Sequence, residues 1–525
     1  MSKLLSILMA LIMAVGILTT SVFAEANATV DMSATHQTMD GWGASYTWYA
    51  DWLINNNNKE QAYDWIFNET EFNILRFRDL NQVNGDEKLV ATDGYPAYKA
   101  CYDAAVARGI KPTVLVTSWG QYDRSLPWVA YTEKAANGFN YYTLAKDENG
   151  EYMYDALADY VVESVKLFWD AGIPVDYYSI SNEIELQERH VDENGNRRDD
   201  AGFFLGMQET EDYCAYWKAH IAVYDALHEA YGDFAPELLG AECMAGYADL
   251  LKGYLDPLIE QRPETVSSVG HHLYGFDQSL KSFHDTRAAF PDYTIWQTEW
   301  YSDEHIELAN HIINALNYED LNAWLFWNGA WAPDQGVTLV EIAGAGENDE
   351  IKRGNNHYIM MHFSKYIKEG YIRVDINEEL NSNMTAFKSP DGKKLVVVGV
   401  NTTNEAEYLE LDVGEEILGS QVYQTLGNEN RFRFKHWLDM GKYADNMELP
   451  GLSVTTIVLD LAGDPNYVAP AVVEEPVNPF LKQGGKVDLN LTLILGIAGG
   501  VVIAAVVVII IVAASKKKAK PAADN

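Results

Sequence analysis

The chain has 525 residues, which is too long for one small domain and long enough for a large barrel with an accessory domain. Acidic residues number 77 against 38 basic ones, and this negative charge argues against nucleic acid and anionic membrane surfaces as partners. Three cysteines occur, without a CxxC motif or a His/Cys cluster, so the composition predicts neither a disulfide framework nor a metal site.

The first 24 residues have the three parts of a secretory signal peptide. Lys3 precedes an apolar run, and the run ends on the small-residue site Val22-Phe23-Ala24. We therefore expect residues 1–24 to be removed and the mature chain to begin near Glu25.

Eight short runs rich in β-branched and aromatic residues alternate with helical segments, as expected of a parallel α/β architecture. The runs are 41–45, 73–79, 112–119, 176–183, 237–243, 268–275, 294–301 and 322–329. Two of the intervening helices end near Gly109 and Gly172, where a helix terminus favours a left-handed residue. The pattern predicts a (β/α)8 TIM barrel over residues 25–360.

The C-terminal part of the chain differs in character. Residues 361–462 alternate as strands without long helices, which predicts a β-sandwich domain, and the Pro- and Gly-punctuated residues 463–490 predict a linker. Residues 491–514 are uncharged and long enough to cross a bilayer of about 30 Å as a helix. A core helix is the alternative, although core helices rarely run this long without a polar face. The basic tail, 515–525, favours a cytoplasmic end, so the sequence predicts a single C-terminal span with the body at the extracellular face of the membrane.

The candidate catalytic residues are two glutamates at strand ends, where TIM-barrel enzymes carry their chemistry. Glu183 ends the fourth run, in SISNEIEL, and Glu299 ends the seventh, in TIWQTEW. Two carboxylates about 5 Å apart fit a retaining glycosidase, in which one carboxyl donates a proton and the other attacks the anomeric carbon. Either residue alone is equally compatible with a solvated strand end, and the pairing across strands four and seven favours catalysis.

Polar neighbours have expected roles beside this pair. Asn182 is predicted to donate to a sugar hydroxyl, most plausibly at C2, and Arg76 on the second run is predicted to hold a catalytic carboxylate ionised. Glu242 is either a secondary polar lining residue or a structural hydrogen-bonding group. Glu185 is predicted to be a plain loop charge. The pair His271-His272 is predicted to form hydrogen bonds within the site or the core.

Aromatic residues crowd the same strand ends and are predicted to cover the apolar faces of sugar rings, with core packing as the alternative for each one. The predicted substrate-binding set is Trp42, Trp119, Tyr274, Trp300 and Trp327, and Trp48, Tyr301 and Trp331 lie close to it in sequence.

Several longer motifs carry a resemblance to a known family. They are NILRFR, GHHLYG, WQTEWY and above all KRGNNHYIMMHFSKYIKEGYIRV at 352–374. On these motifs the chain resembles glycoside hydrolase family 30 of clan A, especially its bacterial xylanase- and glucuronoxylanase-like members, over about 28–461. The resemblance implies a barrel with a side-associated β-sandwich that the N-terminal strand joins. It also implies retention of configuration, with Glu183 as acid/base and Glu299 as nucleophile, and no metal or organic cofactor.

The chain departs from the family pattern at positions that bear on substrate. Ile184 stands where family members usually have proline, and Asn328 to Trp331 replace the consecutive arginines that hold a glucuronic acid branch. We therefore expect an endo-β-1,4-xylanase-like hydrolase of plant-cell-wall polysaccharide without strict dependence on that branch. The alternatives are action on another β-glycan, such as β-1,6-glucan or galactan, exo action, or a surface carbohydrate-binding protein without catalysis.

Overall fold

The structure is a computed structural model, and it describes residues 25–482 apart from internal gaps. The residues outside the description are 1–24, 80, 84–88, 93, 121–125, 133–140, 186–202, 276–278, 334–337, 345–349, 381, 428–434, 472–475 and 483–525. The chain divides into two units at Lys482, and all described residues belong to the first.

Eight parallel strands close into a barrel, and each of them corresponds to one of the eight predicted runs. In chain order the strands are Gly41–Ser45, Ile74–Arg78, Thr113–Thr117, Tyr177–Ser179, Glu237–Cys243, Ser268–His272, Thr294–Trp300 and Ala323–Phe326. The first strand pairs with the second and the eighth, which closes the barrel. Because helices cover the outside of the barrel and side chains fill its inside, its strands are buried on both faces and read as continuous apolar runs.

Helices follow the barrel strands and cover the barrel. They are Ala50–Asn55, Lys59–Asp64, Tyr95–Ala107, Tyr154–Asp170, Tyr216–Tyr231, Ala248–Gln261, Leu280–Ala289, His305–Tyr318 and, at the junction with the side sheet, Asn355–Ser364. Short helical turns are Trp65–Glu69, Gly232–Phe234, Pro263–Thr265 and Glu378–Leu380. Gly109 (φ 82°) and Gly172 (φ 76°) follow two of these helices in the left-handed conformation, as predicted.

A nine-stranded sheet lies beside the barrel, and it includes the N-terminal strand as the resemblance implied. Glu25–Thr38 pairs antiparallel with Ile372–Ile376 and parallel with Glu407–Asp412. The other strands are Met384–Lys388, Lys394–Asn401, Gly419–Leu426, Lys435–Gly441, Met447–Leu449 and Ser453–Asp460. This side sheet fits the predicted sandwich.

Alternation along one strand explains how the side sheet is held. Leu395 and Val397 belong to a core within the side domain, whereas Val396 and Val398 belong to the core shared with the barrel. Successive side chains of a strand point to opposite faces, so a continuous apolar run is expected where both faces are covered.

Smaller strands surround the barrel rim. Two hairpins pair Asn81–Val83 with Leu89–Ala91 and Val129–Thr132 with Tyr141–Leu144. A three-stranded sheet of Ala330–Trp331, Val340–Ile342 and Ile351–Arg353 follows the eighth barrel strand.

The end of the described chain packs back onto the barrel, within the segment that the sequence predicts to be a linker. The ring of Phe480 stacks on Trp169 with centroids 5.6 Å apart and contacts Tyr231 at 5.1 Å. The Lys482 N–H donates to the Trp169 carbonyl (3.0 Å), and its Nζ lies 3.0 Å from an Asp170 oxygen. Residues 476–482 therefore form a clasp across the ends of two barrel helices.

The membrane part of the predicted fold needs correction. Along the residues that the structure describes, no helix combines the length and apolar character required to cross a bilayer. The fold is accordingly a TIM barrel with a side sheet. By this finding, the predicted localisation, in which one C-terminal span holds the protein at the membrane, is wrong. The predicted span 491–514 lies outside the described residues, as do the predicted signal peptide 1–24 and the tail 515–525.

Candidate active site

The C-terminal ends of the barrel strands bring together five charged or titratable side chains. Arg76 comes from the second strand, Glu242 from the fifth, His272 from the sixth and Glu299 from the seventh, and each is at most 6% exposed. Glu183 follows the fourth strand, and its side chain is 20% exposed. The two glutamates predicted to be catalytic therefore meet at one end of the barrel.

Glu183 does not end its strand, as the sequence predicts, because the strand stops at Ser179. The Asn182 N–H donates to the Ser118 carbonyl (2.8 Å), and the Glu183 N–H donates to the Glu242 carbonyl (3.0 Å). Glu183 itself adopts a left-handed conformation with φ of 49°. These contacts take the chain out of the regular ladder and turn the carboxylate toward the barrel axis.

The fifth strand contains a bulge at the same level. Ala241 (φ 67°) and Glu242 (φ 42°) are both left-handed, and the pairing with the sixth strand shifts between Ala241 and Cys243. Such conformations cost about 1–3 kcal/mol each in a non-glycine residue and persist where surrounding contacts enforce them. Bulges next to active sites redirect a side chain, and here the bulge places Glu242 beside Arg76.

The carboxylates of Glu183 and Glu299 are close together. One oxygen of each and one ring nitrogen of His272 all lie within 4.8 Å of one another. Retaining glycosidases hold their two carboxyl groups about 5–5.5 Å apart, whereas inverting enzymes need roughly 6.5–9.5 Å to admit a water molecule. The nearest oxygens of Glu183 and Glu299 lie closer together than the inverting spacing.

Arg76 is the centre of the hydrogen-bond network. Its Nη1 donates to Glu299 Oε2 (2.6 Å) and Ser45 Oγ (3.1 Å), and its Nη2 contacts Asn182 Oδ1 (2.7 Å) and Glu242 Oε1 (2.8 Å). Its Nε donates to Thr117 Oγ1 (3.2 Å). These five partners match the five N–H groups of a guanidinium. The structure thus contains a contact between Arg76 and Glu299, one of the two candidate carboxylates.

Burial and ion pairing act in opposite directions on the charges of the site. Burial raises the pKa of Glu299, and the charges of His272 and Arg76 oppose that rise. Although burial acts to raise the pKa of Glu242 as well, Arg76 and His272 lower it to about 2. The pKa of His272 rises to about 9 because the nearby carboxylates outweigh burial. Glu242 is thus an anion and His272 a cation at neutral pH.

A cleft of about 620 Å³ opens over Glu183 and Glu299. Its lining consists of aromatic and acidic side chains with one amide: Trp48, Tyr49, Asp51, Trp52, Trp119, Asn182, Glu183, Glu299, Trp327 and Trp331. Trp119 and Trp327 stack with ring centroids 6.1 Å apart, and Trp331 contacts Trp327 at 5.9 Å. Flat aromatic walls beside two carboxylates suit a sugar ring, which has apolar C–H faces and polar edges.

The structure places some of the predicted aromatic residues at the cleft and others in the hydrophobic core. Trp119 and Trp327 line the cleft, and Tyr274 lies beside it with its ring 6.0 Å from that of His272. Trp42 is in the hydrophobic core, where its Nε1 donates to the Ile367 carbonyl (2.8 Å). Trp300 is also a core residue, packed edge-on against Trp324.

Some cleft residues escaped the sequence prediction. Tyr49, Asp51 and Trp52 line the cleft. The many aromatic residues in the segment after the first barrel strand could have indicated them. Glu185, predicted to be a plain loop charge, is half-buried: it accepts the Ala245 N–H (3.2 Å), and burial raises its pKa to about 7.

A metal ion fits this site poorly. Within the described ranges, Glu183, His272 and Glu299 are the one group whose ligand atoms lie close enough together to hold a cation. However, Arg76 Nη1 lies 2.6 Å from Glu299 Oε2 and places a positive charge where the metal would bind. The side chains are better arranged for proton transfer and nucleophilic attack.

The chain was also compared with known proteins. No protein-family profile matches the chain. Two forms of glucuronoxylanase XynC from Bacillus subtilis are similar: one is 24% identical over 220 residues, covering 38% of this chain and 48% of the relative. The other is 25% identical over 279 residues, covering 49% and 61%. The alignments thus span about half to three-fifths of these relatives.

Solved structures show the same architecture. The catalytic domain of the GH30 xylanase C from Talaromyces cellulolyticus aligns with a TM-score of 0.62 at 19% identity, over 83% of this chain and 100% of that domain. The endo-beta1,6-glucanase BT3312 aligns with a TM-score of 0.60 at 15% identity, over 84% and 96%. Together with the sequence relatives, the Talaromyces structure confirms the resemblance to the xylanases of glycoside hydrolase family 30.

Proposed function

We propose that the protein is a retaining glycoside hydrolase of xylan-like polysaccharide that uses Glu299 as nucleophile and Glu183 as acid/base. The observation that carries the proposal is the approach of the two carboxylates to within 4.8 Å at the floor of an aromatic cleft. This separation corresponds to a double displacement, since it leaves no room for a water molecule between carboxylate and sugar.

The first step forms a covalent intermediate. Glu299 attacks the anomeric carbon and forms an ester bond while the glycosidic C–O bond breaks, and the leaving oxygen takes the proton of Glu183. In the second step Glu183 removes a proton from water, the water oxygen attacks the anomeric carbon, and the ester to Glu299 breaks. Two inversions give net retention.

The contacts of the two residues fit these roles. Glu299 receives the shortest bond of Arg76, which favours the ionised form that a nucleophile needs, against the effect of burial. Glu183 is the more exposed of the pair and faces the cleft, as a group that exchanges protons with a leaving group and with water must. Because Arg76 Nη2 donates to Asn182 Oδ1, the amide NH2 of Asn182 is the group that can donate to a sugar hydroxyl.

The substrate that best fits the resemblance is a β-1,4-xylan cleaved internally. The segment from Asn328 to Trp331 lacks arginine, and a Cβ added at Gly329 would collide with the Tyr46 ring, so this segment offers no guanidinium for a uronic acid branch. The same two-carboxylate machinery acting on another β-glycan, or from a chain end, is the alternative. A binding protein without catalysis is disfavoured because both carboxylates and Arg76 are in place.

The test combines product analysis with two variants. The wild-type protein is incubated with glucuronoxylan, arabinoxylan, unbranched xylo-oligosaccharides, β-1,6-glucan and galactan, and the first-formed anomer is followed by proton NMR. We expect oligosaccharides of retained configuration from decorated and unbranched xylan, and loss of turnover in Glu299→Gln and Glu183→Gln. Cleavage of only a β-1,6-glycan would change the substrate and keep the mechanism. Full turnover by Glu299→Gln would refute the mechanism.

A further inference from the structure

Glu242 is a third carboxylate at the barrel end, and the proposed hydrolysis does not use it. Glu183 and Glu299 line the cleft, whereas Glu242 lies beneath it with a fully buried side chain. A carboxylate in such a place requires partners that hold its charge. Its partners are Arg76 and His272, the two cations that also contact the catalytic pair.

Glu242 fixes one side of the Arg76 guanidinium. Its Oε1 lies 2.8 Å from Arg76 Nη2, and its Oε2 accepts the Thr117 hydroxyl (3.0 Å), which in turn accepts Arg76 Nε. Because the guanidinium is rigid and planar, holding Nη2 and Nε determines where Nη1 reaches. Nη1 is the atom that donates to Glu299.

His272 stands between all three carboxylates. Its Nδ1 lies 3.2 Å from Glu183 Oε1, and its Nε2 lies 3.8 Å from Glu242 Oε1 and 3.9 Å from Glu299 Oε2. Among the described residues, other charged or titratable groups that interact with this cluster are Arg76, Glu185, Cys243, Tyr274 and Tyr301. Nδ1 is within hydrogen-bonding distance of Glu183, whereas Nε2 faces the other two carboxylates at longer range, and the positive charge of an imidazolium suits this position.

In the proposed reaction the charges of the other two carboxylates change, whereas that of Glu242 stays constant. Before the first step Glu299 is an anion and Glu183 is protonated; in the covalent intermediate Glu299 is an ester and Glu183 is an anion. With Arg76 and His272 positive and Glu242 negative, the five groups carry no net charge in either state. Without the Glu242 charge, the site would hold a net positive charge throughout.

We propose that Glu242 is a positioning residue for the hydrolysis. It holds Arg76 and His272 as oriented cations between the catalytic carboxylates, so that negative charge moves from Glu299 to Glu183 within a neutral site. This inference rests on the proposed function. It assigns Glu242 a role in turnover and none in substrate binding, since its side chain does not line the cleft.

The test is Glu242→Gln, with Glu237→Gln at the exposed start of the same strand as the matched control. We expect kcat on xylo-oligosaccharides to fall about 10- to 100-fold, the size of effect seen for residues that act through others, with KM unchanged within about twofold. The alkaline limb of the kcat profile moves to lower pH by about 1–3 units, because the site loses one buried negative charge and its acidic groups release their protons earlier. The control variant keeps the wild-type profile.

Two further results test the positioning role of Glu242 separately from the proposed function. Wild-type kcat and pH profile in Glu242→Gln, with Glu299→Gln inactive, would overturn the positioning role and leave the hydrolase proposal intact. If Glu242→Gln does not fold, the titration of His272 in the wild-type protein is measured by NMR, with the signal assigned by its loss in His272→Gln. A pKa at or below 6.5 would overturn the inference, and one well above it supports the cationic form.

Discussion

Replacing Arg76 by methionine tests how much this arginine stabilises the fold through its ion pairs with Glu299 and Glu242. The variant leaves Glu299 and Glu242 buried without the guanidinium that lies 2.6 and 2.8 Å from their oxygens. Removing one partner of a buried ion pair costs about 3–5 kcal/mol. The pKa of Glu242 gives a similar figure, since a fall from 4.5 to about 2 corresponds to about 3 kcal/mol. We expect the free energy of unfolding to drop by about 3–5 kcal/mol at pH 7.

The pH dependence distinguishes lost ion pairing from lost packing. A carboxylate whose pKa is lowered by folding stabilises the protein above its ordinary value of 4.5, and that stabilisation disappears as the pH falls through about 2. The deficit of Arg76→Met should therefore shrink toward pH 3, as measured by urea unfolding with tryptophan fluorescence. Arg76→Lys, which keeps the charge, should lose less, and Arg76→Met with Glu242→Gln should recover part of the deficit. A deficit that is equal at pH 7 and pH 3 would refute the reasoning.

Three more predictions follow from particular contacts. Phe480→Ala should lower the unfolding free energy by about 2–3 kcal/mol, because Phe480 is 41% exposed and truncating a fully buried phenylalanine costs about 3–5 kcal/mol. Val477→Ala, at a residue that is 75% exposed in the same clasp, should change the unfolding free energy by less than about 0.5 kcal/mol. Equal effects of the two variants would show that the clasp does not stabilise the barrel. Trp331→Ala should raise KM for xylan about tenfold, a loss of about 1.4 kcal/mol, and an unchanged KM in steady-state assays would remove this wall from the substrate site. The pKa of His272 is raised to about 9, so the stabilisation that protonated His272 gives the fold is complete below pH 6.5 and is lost as the pH rises through 9. Urea unfolding midpoints should therefore fall across that window in the wild type and change less in His272→Gln. Parallel curves for the two proteins would contradict the raised pKa.

The barrel was predictable because its strands are short, apolar and regularly spaced. Each of the eight runs became a strand, since burial on both faces demands apolar residues at every position. Glu299 became a candidate for the same reason, because a charged residue at the end of such an apolar run is unusual. The side sheet was equally visible, because its runs lack helices between them.

Side-chain direction was the part that the sequence could not supply. Trp42 and Trp300 lie at strand positions that face the core, and composition does not tell them from Trp119, which faces the cleft. The left-handed turn at Glu183 and the bulge at Glu242 depend on hydrogen bonds between strands that are distant in sequence. Local propensity disfavours such conformations for glutamate, so only the assembled barrel reveals them.

The pairing of the first strand has a consequence for how the chain is made. Glu25–Thr38 lies between Ile372–Ile376 and Glu407–Asp412 in the interior of the side sheet, so the nearer of its partners is synthesised roughly 330 residues later. At about 5–20 residues per second, the ribosome needs roughly 17–70 s to deliver them. During that interval the strand has two unpaired edges, which invite pairing with another chain. The side sheet is consequently the last part to assemble, and slow translation between these segments should lower the yield of folded protein more than an equal delay after residue 412.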